Sequence, residues 1–304
     1  MDAVRNNSHA AVIIGGVNMD ICGKPDKRTV KRDSNPGVIS AAPGGVGRNI
    51  AHDLRILGVE VSLISALGGD IYGKTLLESC EDLGIDTSMC AVFPDERSST
   101  YMYITDEQGE MQLAVADMDI TKRITPEYVA QYIEVINTFG AVVLDANLEQ
   151  ETLEYCARHI TAPMYADPVS TAKAPRLINI VSSLSAIKPN LIEAQTLTGR
   201  IWPEDCAKAL DAKRVFISLG SEGLLAREGE KLIKLSCERC RIVNTTGAGD
   251  AVMAAIIWAG LNSLSLENTA QCCIQAGMIT CLSSEPNSEK LVKITENGGR
   301  NGKN

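Results

Sequence analysis

The chain has 304 residues, of which 45% are hydrophobic and 22% charged, enough to bury a large core as one α/β unit with a small appendage. Its net charge of -9 excludes a surface built to coat nucleic acid, which needs clustered Lys and Arg, so any nucleic-acid-related ligand should be small. No apolar run is long enough to span a membrane, and Met1-Asp2-Ala3-Val4-Arg5-Asn6-Asn7-Ser8 lacks the apolar stretch of a secretory signal, which points to a cytosolic protein.

The first element is Ala10-Ala11-Val12-Ile13-Ile14-Gly15-Gly16, a continuously apolar run with the look of a buried parallel strand. Asn18 and Asp20 follow at its C-terminal end, the edge where open α/β sheets bind ligands, and suit hydroxyl recognition as well as a turn. From Cys22 to Ala42 the text is polar and punctuated by Gly and Pro. Thr29-Val30-Lys31 and Val38-Ile39-Ser40 are short alternating pieces of an excursion outside the main sheet.

Pro43-Gly44-Gly45-Val46-Gly47-Arg48-Asn49 opens a helix from Ile50 to Leu57, ended by Gly58. The third glycine of GxGxxG is replaced by Ile50, which argues against a dinucleotide fold. Closely spaced glycines let backbone approach a ligand, and Asn49 offers both a donor and an acceptor, as a sugar requires. Val59 to Leu67 reads as a strand, and Asp70 caps a helix running to Leu83. Ala91-Val92-Phe93, Thr100 to Ile104 and Met111 to Val115 then read as strands. With residues 22–42 they make a small β-lid, for which we take segments of about 18–42 and 88–118. Ser98, Thr100 and Asp117 are its polar candidates for substrate contact.

Beyond Thr125-Pro126, a good helix start, strands at 141–145, 163–167 and 184–187 each precede a helical pattern. This alternation predicts a three-layer α/β/α sandwich with a mostly parallel central sheet. Asp145 and Asp167 end strands and lie at the ligand edge. Lys188-Pro189-Asn190-Leu191-Ile192-Glu193 starts a helix on which Asn190 and Glu193 share a face; they can hold water and Mg²⁺ near phosphates or form a capping box. The strand Arg214 to Leu219 delivers Ser218, Gly220 and Gly223 to the same edge, and a hairpin from Leu224 to Leu235 follows.

Asn244-Thr245-Thr246-Gly247-Ala248-Gly249-Asp250 precedes the apolar helix text Ala251 to Ala259. Its glycines leave N–H groups free at a helix N-terminus, an anion cradle, and Asp250 in the first turn can take a proton from an incoming hydroxyl. In outline this is a phosphoryl-transfer site, although a Gly-rich cap with an acidic first-turn residue looks the same in isolation. There is no GxxxxGK[ST], so this turn must hold the phosphates. A last helix runs from Leu266 to about Leu282. The ten cysteines mostly stand singly in apolar text as buried thiols. Cys237-x-x-Cys240 has zinc spacing but no second pair, and His9, His52 and His159 have no partner spacing. Residues 10–296 read as a single domain and 297–304 as a frayed tail.

In order, Gly44-Gly45-Val46-Gly47-Arg48-Asn49, Asn190-x-x-Glu193, Ser218-x-Gly220-x-x-Gly223 and Asn244 to Asp250 resemble the signatures of the PfkB, or ribokinase-like, carbohydrate kinases, over roughly residues 10–285. The resemblance implies a ribokinase-like sandwich of about nine strands with a β-lid, and ATP and Mg²⁺ as donor and cofactor. It implies that Asp250 is the general base and that the Gly247, Ala248 and Gly249 backbone is the anion hole. Substrate would meet Asn18, Asp20, Gly44, Gly45, Asn49, Ser98, Thr100, Asp117 and Asp250. ATP would meet Lys188, Asn190, Ser218, Gly220, Gly223, Thr246, Gly247, Gly249 and the region of Asn268 and Cys272, with Asn190 and Glu193 organising Mg²⁺ through water. Many members carry Asp at the position of Asn244, which leaves the family's K⁺ dependence open here. Acceptor-side residues that are neutral or acidic favour a neutral sugar or nucleoside over a phosphosugar. Asp33-Ser34-Asn35-Pro36-Gly37, Gly109-Glu110-Met111 and Asp167-Pro168-Val169-Ser170 look like the pseudouridine-phosphorylating branch. Members often dimerise through the lid. A nucleoside-binding regulator on a dead kinase fold and an NAD-binding oxidoreductase are the rival classes. The intact Asp250 and Asn190-x-x-Glu193 count against the first, and the broken GxGxxG against the second.

Overall fold

The computed structural model describes residues 7–238 and 242–295. Its first half contains β1 (Ala10–Ile14), β2 (Asn18–Pro25), β3 (Gly37–Gly44), α1 (Val46–Ile56), β4 (Glu60–Ile64), β5 (Ala66–Gly68), α2 (Ile71–Asp82), β6 (Ala91–Phe93), β7 (Thr100–Thr105) and β8 (Met111–Asp117). Two short helices follow, α3 (Pro126–Ala130) and α4 (Ile133–Ile136), then β9 (Ala141–Asp145), α5 (Gln150–His159), β10 (Met164–Asp167) and β11 (Ala186–Ile187). The last part runs α6 (Leu191–Thr198), α7 (Pro203–Ala209), β12 (Arg214–Ser218), β13 (Leu224–Glu228), β14 (Lys231–Leu235), α8 (Ala248–Leu261) and α9 (Leu266–Cys281).

Eight strands form the central sheet in the order β14-β13-β12-β11-β10-β9-β1-β4. Every pairing from β12 to β4 is parallel, and only the β12–β13–β14 edge is antiparallel. The strands are buried on both faces. Ala11 and Ile13 of β1 join one core with α1, α8 and α9, while Ala10, Val12 and Ile14 join the other with α5, α6 and α7. Side chains that alternate between two cores give the continuous apolar text of a parallel sheet with helices on either side. The α/β/α sandwich expected from the sequence is therefore present. Helix α8 is buried from Ala251 to Ala259, as an all-apolar helix must be; it packs against both α1 and α9.

The chain leaves β1 for β4 on one side and comes back to β9 on the other. The C-terminal ends of β1 and β9 are thus a topological switch point, where a crevice opens. Gly15 and Gly16 sit there because nothing larger fits: a Cβ on Gly15 would lie 2.3 Å from Asp145 Oδ2 and one on Gly16 2.6 Å from Asn147 Nδ2.

The second sheet has the order β3-β2-β7-β8. Several sequence expectations change. The run Val59–Leu67 is broken, because β4 pairs with β1 only as far as Ile64 and the chain then turns into β5. Ala91-Val92-Phe93, expected in the lid, pairs instead with β5 as a separate two-stranded unit. Thr29-Val30-Lys31 lies in the exposed connection between β2 and β3 rather than in a strand. The stretch after β10 is 3₁₀ rather than α-helical, over Ala174–Ser183, with proline in its first turn. Residues 297–304 and Cys240, hence the tail and the zinc spacing Cys237-x-x-Cys240, lie outside the described residues; Cys237 itself borders the cavity described below.

Candidate active site

Gly247 is the N-cap of α8, with φ of 79°, a left-handed conformation that glycine adopts at no steric cost. It turns the backbone so that the first N–H groups of α8 point out of the helix end. Asp250 stands one turn in. Its Oδ2 accepts from Asn49 Nδ2 at 2.9 Å, which joins α8 to α1 across 201 residues of sequence.

The charges around Asp250 form a compact set. Lys188 Nζ lies 2.8 Å from Asp167 Oδ2, both residues buried. Burial opposes the charge on Lys188, but Asp167, then Asp250 and Glu193, outweigh it and leave its pKa raised. Lys188 also overlies the anion turn, since a Cβ on Gly249 would come within 2.9 Å of its Nζ. The carboxyl of Asp250 is pushed up to about 7, first by desolvation and then by the charge of Asp167, with Asn49 and Lys188 opposing and Asp145 adding a smaller push. A carboxylate with a pKa near neutrality, beside helix-end N–H groups and a lysine, combines a proton acceptor with an anion cradle.

Behind the turn lies a cavity of about 610 Å³, in the size range of small-molecule sites. One wall is Ser218, Gly220 and Gly223 at the end of β12, and another is the start of α8 at Ala248 and Gly249. Gly223, with φ of 102°, packs so tightly that a Cβ would meet Leu235 O at 1.9 Å. The third wall is the second half of α9, through Cys273, Gly277 and Cys281. This corrects the expectation for Asn268 and Cys272. Asn268 is at the far end of α9, where its N–H donates to the cap Ser265 Oγ, and Cys272 is buried in the core. Residues on the cavity side recur at helical spacing from Cys273 onward. Thr246 is exposed, its N–H held by Asn244 Oδ1 at 3.0 Å, and it is Thr245 that borders the cavity.

Asn190 borders the cavity too, but it is also the N-cap of α6 in a full capping box: Asn190 Oδ1 accepts from Glu193 N at 2.9 Å and Glu193 Oε2 accepts from Asn190 N at 2.8 Å. One carboxylate oxygen of Glu193 is therefore committed. Among the described residues no group of three or more His, Cys, Asp or Glu is placed to hold a metal ion. The donors fit a cation that arrives on a polyphosphate and is touched by this pair through water, rather than a protein cage.

On the acceptor side, Asn18 Nδ2 donates to Asp20 Oδ1 at 2.6 Å. The other carboxylate oxygen of Asp20 packs on Gly44, where a Cβ would sit 2.1 Å away. Burial raises the pKa of Asp20, and Asn18 and Arg48 hold it back. Gly45, with φ of 102°, approaches the Gly16 backbone and caps α1. Three expected contacts lie elsewhere. Ser98 is 2% exposed and is consumed structurally, donating to Asp70 Oδ1 and accepting from Gly68 N. Thr100 pairs with Met19 and with Asp117, so strand alternation puts both on the face opposite Asp20; Asp117 there makes an ion pair with Arg97 at 3.2 Å. The face of Asp20 instead carries Tyr101, its register partner, and Tyr103, with ring centroids 5.7 Å apart. Burial, followed by its bond to the Cys22 thiol, pushes the Tyr103 hydroxyl up to about 12. The sequence reading missed both rings, although counting by twos from Asp20 along paired strands would have flagged them.

Among the described residues, no helix is long and apolar enough to cross a membrane. The model of the family described as pfkB family carbohydrate kinase matches residues 8–292. The pseudouridine kinase of Escherichia coli strain K12 is 37% identical over 81% of this chain and 82% of its own. Two solved structures superpose over nearly the whole chain. A carbohydrate kinase from Agrobacterium tumefaciens has a TM-score of 0.84 and 30% identity, over 95% of this chain and 96% of its own. The Arabidopsis thaliana ribokinase, solved with ribose and ATP, has a TM-score of 0.81 over 94% and 98%; its 22% identity speaks to the fold alone.

Proposed function

The chain belongs to the pfkB family of carbohydrate kinases, ATP-dependent phosphotransferases that act on an alcohol group, and on that premise we propose that it phosphorylates the 5′-hydroxyl of pseudouridine, giving pseudouridine 5′-phosphate and ADP. The observation that carries the reading is the pairing of Asp250 with Asn49 beside the anion turn, where a hydroxyl and a γ-phosphate would meet. The 37% identity to a pseudouridine kinase supports the acceptor. So does the aromatic pair Tyr101 and Tyr103 on the face of Asp20, since a nucleobase has a π-face to stack and a free sugar has none.

Asn18, Asp20 and Asn49 grip ribose hydroxyls, and the second sheet acts as a lid that excludes water on closing. The 5′-hydroxyl passes its proton to Asp250, its oxygen forms a bond to the γ-phosphorus, and the bond from that phosphorus to the leaving oxygen of ADP breaks. The α8 N–H groups and Lys188 stabilise the charge on the transferring group, so most of the catalysis is positioning and electrostatics. Asn190 and Glu193 would hold a bound Mg²⁺ through water, where it would supply neutralisation of phosphate charge.

The test is ADP release with Mg-ATP against pseudouridine, uridine, adenosine, ribose and fructose, with and without K⁺. Selective turnover of pseudouridine is expected, and selective turnover of ribose would discard the nucleoside reading. Tyr101→Ala and Tyr103→Ala should raise the nucleoside KM about tenfold, the effect of losing one base–aromatic stack, while any turnover of ribose stays level. An equal loss for both acceptors would show that the rings do not meet the base.

The other face of the second sheet is apolar and open. Ile39, Met102, Ile104, Leu113 and Val115 share it by register, with Ile39 79% and Leu113 60% exposed. Such a patch suits a second copy of the chain, so the enzyme would be a homodimer through its lid. Leu113→Glu should convert a dimer to a monomer in light scattering; a wild-type chain that is monomeric at tens of micromolar would refute the assembly.

A further inference from the structure

The chain segment after α9, residues 282–288, crosses directly over the anion turn. Val243 N–H donates to Cys281 O at 2.9 Å where the strap begins, and Pro286 O lies where a Cβ on Gly247 would be, 2.3 Å away. The next residue turns the other way. Asn287 Nδ2 donates to Asn49 O at 3.1 Å and to Asp53 Oδ1 at 2.8 Å. Both acceptors are on α1, one helical turn apart and on one face. Asn49 is in turn the hydrogen-bond partner of Asp250.

Asp53 is an unusual residue for that place. It is fully buried, and its Oδ2 has no partner among the described residues. Burial, with Asp250 as the nearby like charge, drives its pKa well up, and Asn287 opposes the shift. The Asp53 Oδ1 accepts from the Asn287 amide, and the upward shift works against a full negative charge beside the reacting groups.

The geometry points to Asn287 and Asp53 as a positioning pair that clamps the strap to α1 and so fixes the Asn49 amide against the Asp250 carboxylate. The inference rests on Asp250 being the base. Asp250 is faced by Asn49 on α1, Asp167 and Lys188 at the strand ends, Asp145 on β9 and Asp53; of these, Asn49 and Asp53 are bonded to Asn287, and only Asn49 donates to Asp250. Loosening Asn49 weakens a hydrogen bond that favours the ionised carboxylate, so the pKa of Asp250 rises further.

The experiment is the pH profile of kcat/KM for wild type, Asn287→Ala and Asp53→Asn with the best acceptor of the panel, alongside thermal melts. Asn287→Ala should move the acid limb to higher pH by about half a unit or more and lower kcat about tenfold, as a mis-set catalytic group does. Asp53→Asn keeps an oxygen acceptor for Asn287 and should therefore displace the acid limb and lower kcat less than Asn287→Ala does. An Asn287→Ala enzyme that melts earlier but keeps the wild-type acid limb and kcat would overturn the clamp, leaving a purely structural strap. An acid limb displaced as far in Asp53→Asn as in Asn287→Ala would also overturn it, since charge and not tethering would then be responsible. A wild-type limb that persists in Asp250→Asn would instead overturn the base assignment, which keeps the two failures apart.

Discussion

Asp250→Asn should lower kcat roughly 10²–10⁴-fold, the range for losing a positioned general base, while acceptor and nucleotide still bind. The amide keeps an oxygen for the Asn49 bond of 2.9 Å, so the geometry survives and proton acceptance is lost. In wild type, kcat/KM should climb as pH rises through about 7, where burial and Asp167 have placed the carboxyl. The residual activity of the Asn enzyme should lack that limb. Stability moves in the opposite sense. The folded pKa of about 7 lies above the ordinary 3.8, so between these values the native state holds a proton that the unfolded chain has released, and stability falls as pH rises through the window. Asp250→Asn removes that dependence. It should melt above wild type at pH 8, with the gap closing toward pH 4, a stability gain made by deleting the catalytic charge. Steady-state kinetics and melts across pH check both halves; undiminished turnover would remove Asp250 from the reaction.

How much of this was legible in the sequence depends on the range of the forces involved. The central sheet was readable because a parallel strand buried on two faces must be apolar along its length, as Ala10–Ile14 is throughout and β9 is over 141–144 before it ends in Asp145. The anion turn was readable because Gly247 needs a positive φ and the helix follows immediately. Placement across strands was another matter. Ser98 is polar, as a substrate contact would be, but it is spent on Asp70 and Gly68, and nothing in the local text separates the two uses. Thr100 and Asp117 went to the wrong side of the second sheet because facing depends on register with β2, and a one-residue shift reverses every side chain. The α9 wall was placed at Asn268 to Cys272, where Cys273 begins the cavity side; on a helix even a one-residue offset changes the direction by about 100°. Asn287 carried no signal in the text, because its partners on α1 are more than 230 residues away.

Gly247→Ala carries the second large expected effect, and its contrast with Gly249→Ala separates conformation from mere proximity to phosphate. At Gly247 a methyl group faces two obstacles: φ of 79°, which L residues rarely adopt, and Pro286 O at 2.3 Å, a backbone atom that cannot swing away. The turn or the strap must move. Either shift takes the α8 N–H groups off the phosphoryl position, and kcat should fall roughly 10²–10³-fold, the scale of losing a preorganised anion-hole donor. At Gly249 the φ is ordinary and the clashing atom is Lys188 Nζ at 2.9 Å, the far end of a side chain anchored by Asp167. That lysine can yield by a few tenths of an ångström, so the loss at Gly249 should be the milder one. Acceptor binding by calorimetry should change far less than kcat in both variants, because Asn18 and Asp20, two of the three residues that grip the ribose, lie on β2 and not on α8. Equal losses in the two variants would mean that the turn tolerates the left-handed methyl. The anion hole would then lie in the charge of Lys188 rather than in the backbone of α8.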